Sequence, residues 1–396
     1  MKTEIYSCPG FTFSGCASGL KKNGENDLGL IYSETEASAA GVFTRNRVQA
    51  ASVKLDRERI RSGKCQAIIA NSGNANCCTG EQGELDNLAM TRVVASEMGI
   101  PEEMVLVAST GVIGKPLPIQ KVERSVPELV RLLSANGMSA FAGAIMTTDT
   151  VPKIVIKKGE IHNTSFTITG VAKGSGMIRP DMATMLCFVC TDAASDPKLL
   201  QEMLLKGVEK SFNRITVDGD TSTNDMVLLL ANGVSGAVIQ DHDQIAVFQN
   251  QLDQVLSDLA RMVVKDGEGA TKLVEVKVEG AKSDHDARCI AETIAQSNLV
   301  KTALFGEDAN WGRIIAAAGR AGVDMIPEKM DIFFNDVCMV QNGIGCGPAA
   351  EMEATKVLKK QEFVIQIRLN MGKGESSVLT CDFSVDYVKI NADYRS

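Results

Sequence analysis

Residues 173–186 read KGSGMIRPDMATML and join the strand-like run TSFTITGVA at 164–172 to the apolar run MLCFVC that begins at Met185. A Gly-Ser-Gly after a strand invites a phosphate-loop reading. Neither GxGxxG nor GxxxxGK[ST] is present, however, and no helix start follows directly. Gly111-Val-Ile-Gly114-Lys115 is likewise too short for a Walker loop. A different chemistry needs only one side chain and one backbone amine. Breaking the Ala183–Thr184 bond makes Thr184 a new N-terminus, and a threonine hydroxyl becomes a useful nucleophile once a base takes its proton. An α-amine has an ordinary pKa of ~7.7–8.0, so a fraction of it is neutral near physiological pH. The small Ala183 leaves its carbonyl open to Thr184 Oγ for an N-to-O acyl shift. On these residues alone, a polar turn leading into a strand remains the simpler reading.

Outward from this segment, strand and helix patterns are mixed. QAIIA at 66–70 and MVLVA at 104–108 are short apolar runs ending in polar or Gly turns, as buried strands do. Between them Leu85, Leu88, Ala89 and Val93 recur at helical spacing, with Gly99 and Pro101 as a stop. A second helix is expected near 119–134, kinked or broken at Pro127. A third spans about 197–212, with Leu199, Leu200, Met203, Leu204, Val208 and Ser211 on one face. A fourth carries Leu252, Val255, Leu256, Leu259 and Val263. After residue 273 the pattern changes. Val274, Val276 and Val278 alternate with charged residues, as do Phe363, Ile365, Ile367 and Leu369 with theirs, and helical patterns lie between near 287–302 and 311–322. A smaller α+β lobe over 273–372 is expected, beside a main unit over 1–272 and a final segment over 373–396.

Composition excludes several classes. No apolar run reaches the ~18 residues of a membrane span, and the first residues lack the pattern of a secretory or organelle signal. A cytoplasmic protein is therefore expected. The net charge of −8 comes with no basic block, which argues against nucleic acid as a partner. Eleven cysteines suggest metal or disulfides. Yet Cys77-Cys78 is adjacent, and Cys187-x-x-Cys190 has no second pair or nearby histidine and would splay across a strand. They read as small buried hydrophobes in a reducing compartment, with no metal site. The three histidines, His162, His242 and His285, sit in polar stretches, which weighs against a serine or cysteine triad.

The segment KGSGMIRPDMATML resembles the self-cleavage signature of the ornithine acetyltransferase (glutamate N-acetyltransferase) family of arginine biosynthesis. The resemblance extends over the chain. GVFTRN at 41–46, NSGNANCCTG at 71–80, STGVIG at 109–114 and TTDT at 147–150 follow the family's order. So do TVDGDTSTND at 216–225, DGEGATK at 266–272, NWGRI at 310–314 and YVKINADYRS at 387–396. The resemblance implies cleavage between Ala183 and Thr184 into 1–183 and 184–396, with Thr184 the nucleophile and an oxyanion hole at Thr110 and Gly111. Substrate contacts are implied at Thr147, Lys173, Thr184, Glu268, Asn391 and Ser396, and charge suggests that Lys173 holds a carboxylate and Glu268 an ammonium.

Further implications are a layered αββα sandwich and a heterotetramer of two N-terminal and two C-terminal fragments. The implied reaction moves an acetyl group from N-acetylornithine to glutamate with no bound cofactor. Family members differ in whether acetyl-CoA is also a co-substrate, and no residue here decides. Asp181 stands where the family usually has Asn, Ser396 where it has Thr, and Ala309 where Pro often precedes NWGR. Two rivals stay open: an N-terminal-nucleophile amidohydrolase or aminopeptidase, and an uncleaved, non-catalytic binding protein for acylated amino acids.

Overall fold

A computed structural model describes residues 6–179 and 185–393. Its architecture is mixed α/β, and the chain divides into two compact units, Met1–Asn213 with Asp220–Val263 and Arg214–Gly219 with Val264–Ser396.

The first unit is organised on an eight-stranded sheet. Its strands are β1 (Phe11–Cys16), β2 (Leu28–Phe43), β3 (Lys64–Asn71), β4 (Val105–Ser109), β5 (Lys153–Ile161), β6 (Thr164–Lys173) and β7 (Leu186–Thr191). After the two-residue β8 (Ala194–Ser195) comes β9 (Met226–Ala231), and β10 (Val238–Ile239) pairs with β8 apart from the main sheet. The order is β4-β3-β2-β9-β7-β6-β5, with β1 also on β2. All six residues of β7 and all six of β9 are buried, and the two pair in parallel with Leu186 opposite Met226. Burial on both faces is why LCFVCT and MVLLLA read as continuous rather than alternating apolar runs.

In β3 and β4, successive buried residues face opposite sides of the sheet and assign each face its helices. Ala67, Ile69, Val105 and Val107 pack with Met90 and Val94 of the helix Gly80–Met98 and with Val122, Val126 and Leu129 of Ile119–Arg131. Ile68, Ala70, Leu106 and Ala108 enter a cluster with Val53 of Ala51–Arg59 and with Phe141 and Ile145 of Met138–Ile145. The expected break at Pro127 does not occur. The helix runs to Arg131, because buried Val122, Val126 and Leu129 hold it to the sheet on both sides of the proline. The third expected helix is Pro197–Lys210, started by the Asp196 carboxylate, which accepts the Lys198 N–H at 2.9 Å.

The second unit has a six-stranded sheet, β14-β13-β12-β15-β11-β16. Its members are β11 (Leu273–Ala281), β12 (Asp331–Phe334), β13 (Val337–Gln341), β14 (Ile344–Gly345), β15 (Glu362–Arg368) and β16 (Gly374–Cys381). Val274, Val276 and Val278 share one core with Phe363, Ile365 and Ile367, as their alternation predicts. The helical pattern near 287–302 resolves into two helices, Asp284–Ala295 and Asn298–Phe305, and the next one ends at Gly319. Ile215 bridges Leu379 of β16, which is how Arg214–Gly219 joins this unit, and the unit opens at Val264 rather than at 273.

Phe141 fixes the helix Met138–Ile145 on the first sheet. Its ring meets Phe188 of β7 edge-on, with centroids 5.4 Å apart. A Cβ at position 29 of β2 would stand 2.8 Å from that ring, so glycine there permits the approach. Phe141→Ala is expected to lower stability by about 3–5 kcal/mol in denaturant unfolding; an unchanged midpoint would contradict this packing.

Candidate active site

The parallel neighbours β3 and β4 end together, with Asn71 opposite Ser109. The loops that follow carry NSGNANCCTG and STGVIG, and amide side chains tie them to each other. Asn71 Oδ1 accepts the Ser109 hydroxyl at 2.7 Å, and its Nδ2 donates to the Asn74 carbonyl at 2.9 Å. Asn74 Nδ2 donates to the carbonyls of Lys115 and Pro116. From TVDGDTSTND, the buried Asn224 donates to the carbonyls of Ala75 (2.7 Å) and Ser109 (2.8 Å). Three motifs scattered in sequence therefore converge at one end of the sheet. Gly111 lies at φ +132°, and a Cβ there would sit 2.4 Å from the Gly73 carbonyl carbon, so only glycine fits. The Thr110 N–H already donates to the Asn71 carbonyl at 3.0 Å, which leaves the Thr110 hydroxyl as what this residue presents.

That hydroxyl lies 3.3 Å from Lys173 Nζ, at the end of β6. The same ammonium donates to Thr147 Oγ1 at 2.9 Å. Thr110, Thr147 and Lys173, expected to share a site, are thus joined in one polar cluster, and Lys173 is 4% exposed. Its counter-charge is Asp149, which sequence reasoning quoted within TTDT without giving it a role. Asp149 Oδ2 accepts the Thr147 N–H at 3.0 Å and lies 4.0 Å from Lys173 Nζ. Its Oδ1 accepts from Lys153 Nζ and from the Gly174 N–H, both at 2.7 Å. Burial pushes this carboxyl up, but Lys173, Lys153 and the hydrogen bonds outweigh it and hold the pKa at about 2. One carboxylate thereby fixes Thr147 and the Lys173-Gly174 pair that opens KGSGMIRPDMATML.

Ala183, Thr184 and Asp181 lie outside the described residues, as does Ser396. The next residue, Met185, donates its N–H to Asp225 Oδ1 at 2.9 Å. In the second unit, the DGEGATK loop is held by Asp382, which accepts the N–H groups of Thr271 (2.8 Å) and Lys272 (2.9 Å). Glu268 is buried there, and Asn391 Nδ2 donates to its Oε2 at 2.8 Å. The expected contacts Glu268 and Asn391 therefore pair with each other on that unit. The three histidines are exposed. Cys187 and Cys190 are buried free thiols, and burial pushes both well up, as suits apolar packing rather than ligation.

Asp149→Asn leaves Lys153 as a fully buried charge without its carboxylate, and is expected to cost about 3–5 kcal/mol. The wild-type carboxyl titrates below its ordinary ~3.9, so its stabilisation is complete above about pH 4 and is lost as pH falls towards 2. Thermal unfolding across that window should show the loss in the wild type and not in the variant; parallel curves would contradict the ion pair.

The ArgJ family profile matches residues 12–396. The arginine biosynthesis bifunctional protein ArgJ of Geobacter sulfurreducens is 50% identical to this chain, covering 98% of it and 99% of its own length. The protein of the same name from Syntrophotalea carbinolica is 52% identical with the same coverage. Among solved structures, the arginine biosynthesis bifunctional protein argJ of Bacillus halodurans is 43% identical with a TM-score of 0.50, covering 52% of this chain and 97% of its own. The ornithine acetyltransferase of Mycobacterium tuberculosis, solved with ornithine, is 37% identical with a TM-score of 0.42, covering 45% of this chain and 96% of its own. Matched over nearly its whole length, this chain belongs to the ArgJ family.

Proposed function

We propose that the chain is a self-cleaving acetyltransferase that moves the acetyl group of N-acetylornithine to glutamate through an acetyl ester on Thr184. The observation that carries this reading is the polar cluster of buried Lys173 and Thr110 with half-buried Thr147, in which Lys173 ends β6 and stands eleven residues before Thr184 in the chain. It offers a cation for a substrate carboxylate and a hydroxyl donor for a developing oxyanion. The relatives' names place them in arginine biosynthesis, and the Mycobacterium tuberculosis relative is named an ornithine acetyltransferase. Self-cleavage is supported by the Bacillus halodurans chain. Nearly all of it aligns, yet it covers 52% of this chain, close to the length of residues 184–396 (about 54%).

The first step forms a bond from Thr184 Oγ to the acetyl carbonyl carbon. The threonine's own α-amine takes the hydroxyl proton. The Thr110 hydroxyl and the Gly111 N–H hold the oxyanion, and such a donor is worth ~10²–10³ in rate. Ornithine leaves with the proton returned to its nitrogen. Glutamate's amine then attacks the ester, releasing N-acetylglutamate and restoring the threonine. Lys173 and Thr147 hold the substrate carboxylate, while Glu268 and Asn391, with Ser396, contribute to amino-group recognition. The chemistry calls for no resident metal or organic cofactor; acetyl-CoA serves as an alternative acetyl donor. The working assembly is a heterotetramer of two copies of each fragment, acting in the cytoplasm. No helix among the described residues is long and apolar enough to cross a membrane.

Five outcomes are expected. Thr184→Ala yields one full-length species on a denaturing gel and no acetyl transfer; cleavage at 183/184 in that variant would overturn the reading. Initial rates with both substrates give parallel double-reciprocal lines, whereas intersecting lines contradict the shared ester. Omitting glutamate halts steady acetylornithine turnover after the enzyme is acylated, while an amidohydrolase would continue. Thr110→Val lowers kcat by ~10²–10³ with a smaller change in KM, and Glu268→Gln raises KM for acetylornithine; variants matching the wild type would remove these residues from the site.

A further inference from the structure

Residues 337–346, VCMVQNGIGC, form the hairpin of β13 and β14. Gln341 pairs with Ile344, which leaves Asn342 and Gly343 as the turn. Both have positive φ, +50° and +77°, as a tight turn matched to strand twist requires. The turn end is pinned. The Asn342 N–H donates to Asp331 Oδ1 and the Gly343 N–H to the Met330 carbonyl, both at 2.8 Å.

The open end of the hairpin carries two thiols, and a β-bulge brings them together. Ile332 of β12 pairs with Val340, but Phe333 pairs with Cys338, so Met339 is an extra residue in β13. Strand side chains ordinarily alternate between faces. Here the consecutive residues Met339 and Val340 are both buried in the core of this unit. Cys338 is thereby turned to the outer face, where unbroken alternation would have sent it inward with Val340. On β14, Gly345 pairs with Val340, so Cys346, one residue further, falls on that same outer face. The Cys346 N–H donates to the Met339 carbonyl at 2.9 Å, and the two Sγ atoms stand 3.8 Å apart. All eleven cysteines are free thiols. Cys77 and Cys78 also approach to 3.8 Å, but Cys77 is buried, and linking adjacent residues closes a small ring around one planar peptide unit. Cys338 and Cys346 lie on separate strands, with Cys338 half-buried and Cys346 exposed. Burial and the neighbouring thiol push Cys338 up, so Cys346 is the thiol that meets a reagent first. The strand it would fasten is the edge of the second sheet, two residues long, with Ile344 74% exposed.

We propose that Cys338 and Cys346 form a reversible thiol–disulfide site, linked by a small disulfide such as oxidised glutathione, and that the bond fastens the edge strand β14 to β13. This assignment is independent of the acetyl-transfer reading. Cys346 Sγ, having released its proton, attacks one sulfur of the small disulfide, whose S–S bond breaks and releases one thiolate. Cys338 Sγ then attacks Cys346 Sγ and releases the second thiolate. Two thiols of the chain are oxidised, one small disulfide is reduced, and the two protons end on the two small thiols. The sulfurs must close to about 2.05 Å, which rotation of the exposed Cys346 side chain supplies.

The test treats the purified enzyme with excess glutathione disulfide and then alkylates the remaining free thiols. Trypsin releases residues 330–356 as one peptide that holds both cysteines and no other. This peptide should become two hydrogens lighter and resist alkylation, and dithiothreitol should reverse both changes. It should do so at least about tenfold faster than the peptide carrying Cys77 and Cys78, since thiol exchange follows exposure. Unfolding is followed by the emission of Trp311, the single tryptophan of the chain, which abuts β14: a Cβ on Gly345 would lie 2.8 Å from its ring. The linked enzyme should unfold about 5 °C above the reduced one. Cys346→Ser should unfold like the reduced wild type with or without glutathione disulfide. A peptide alkylated at both cysteines after treatment would overturn the proposal. So would glutathione retained on Cys346, which puts Cys338 out of reach, or a linked peptide with an unchanged unfolding temperature, since the bond then fastens nothing.

Discussion

The pairing of β7 with β9 is the constraint on which the candidate chemistry depends. Both strands are buried on both faces, so a slip of register would move large apolar side chains within a filled interior. With Leu186 opposite Met226, Met185 has one possible place beside Asp225. Thr184 is covalently one residue away. The position of the residue that follows Thr184 is thus set by strand pairing, an interaction contributed by sequence about forty residues downstream.

The polar cluster uses a second constraint, charge held out of water. Lys153 is fully buried and Lys173 nearly so, and Asp149 lies beside both. In such a setting each partner depends on the other, because a buried charge left alone is expensive. That dependence makes the positions of Thr147 and Gly174 difficult to perturb, since both backbone N–H groups end on the same carboxylate. A site that must discriminate small amino acids gains from being built this way, with donors already oriented before substrate arrives.

Much of this organisation was legible in the sequence, and the failures have physical causes. The strands at 64–71 and 105–109, the helix between them and the alternating strands of the second unit follow from apolar periodicity. The helix through Pro127 does not, because tertiary burial of its flanking valines overrides a local breaker. The division of 284–305 into two helices turns on a short interruption at Gln296 and Ser297 that an apolar stripe does not reveal. At the site, Thr110, Thr147 and Lys173 were reached through family motifs rather than through spacing. Asp149 has no role in the sequence reading because nothing in TTDT marks its pairing with Lys153, and only the fold shows both buried. The ties made by Asn224 and Asp225 are not legible in the sequence because their partners at Ala75, Ser109 and Met185 are distant along the chain.

The account's central claim is a covalent acetyl group on one hydroxyl, and mass spectrometry of the enzyme during the half-reaction addresses it directly. Exposed to N-acetylornithine without glutamate, the fragment that begins at Thr184 should gain one acetyl mass, located on that first residue, and lose it on addition of glutamate. An enzyme that transfers acetyl groups while this fragment stays unmodified, or that carries the acetyl group elsewhere, would contradict the account.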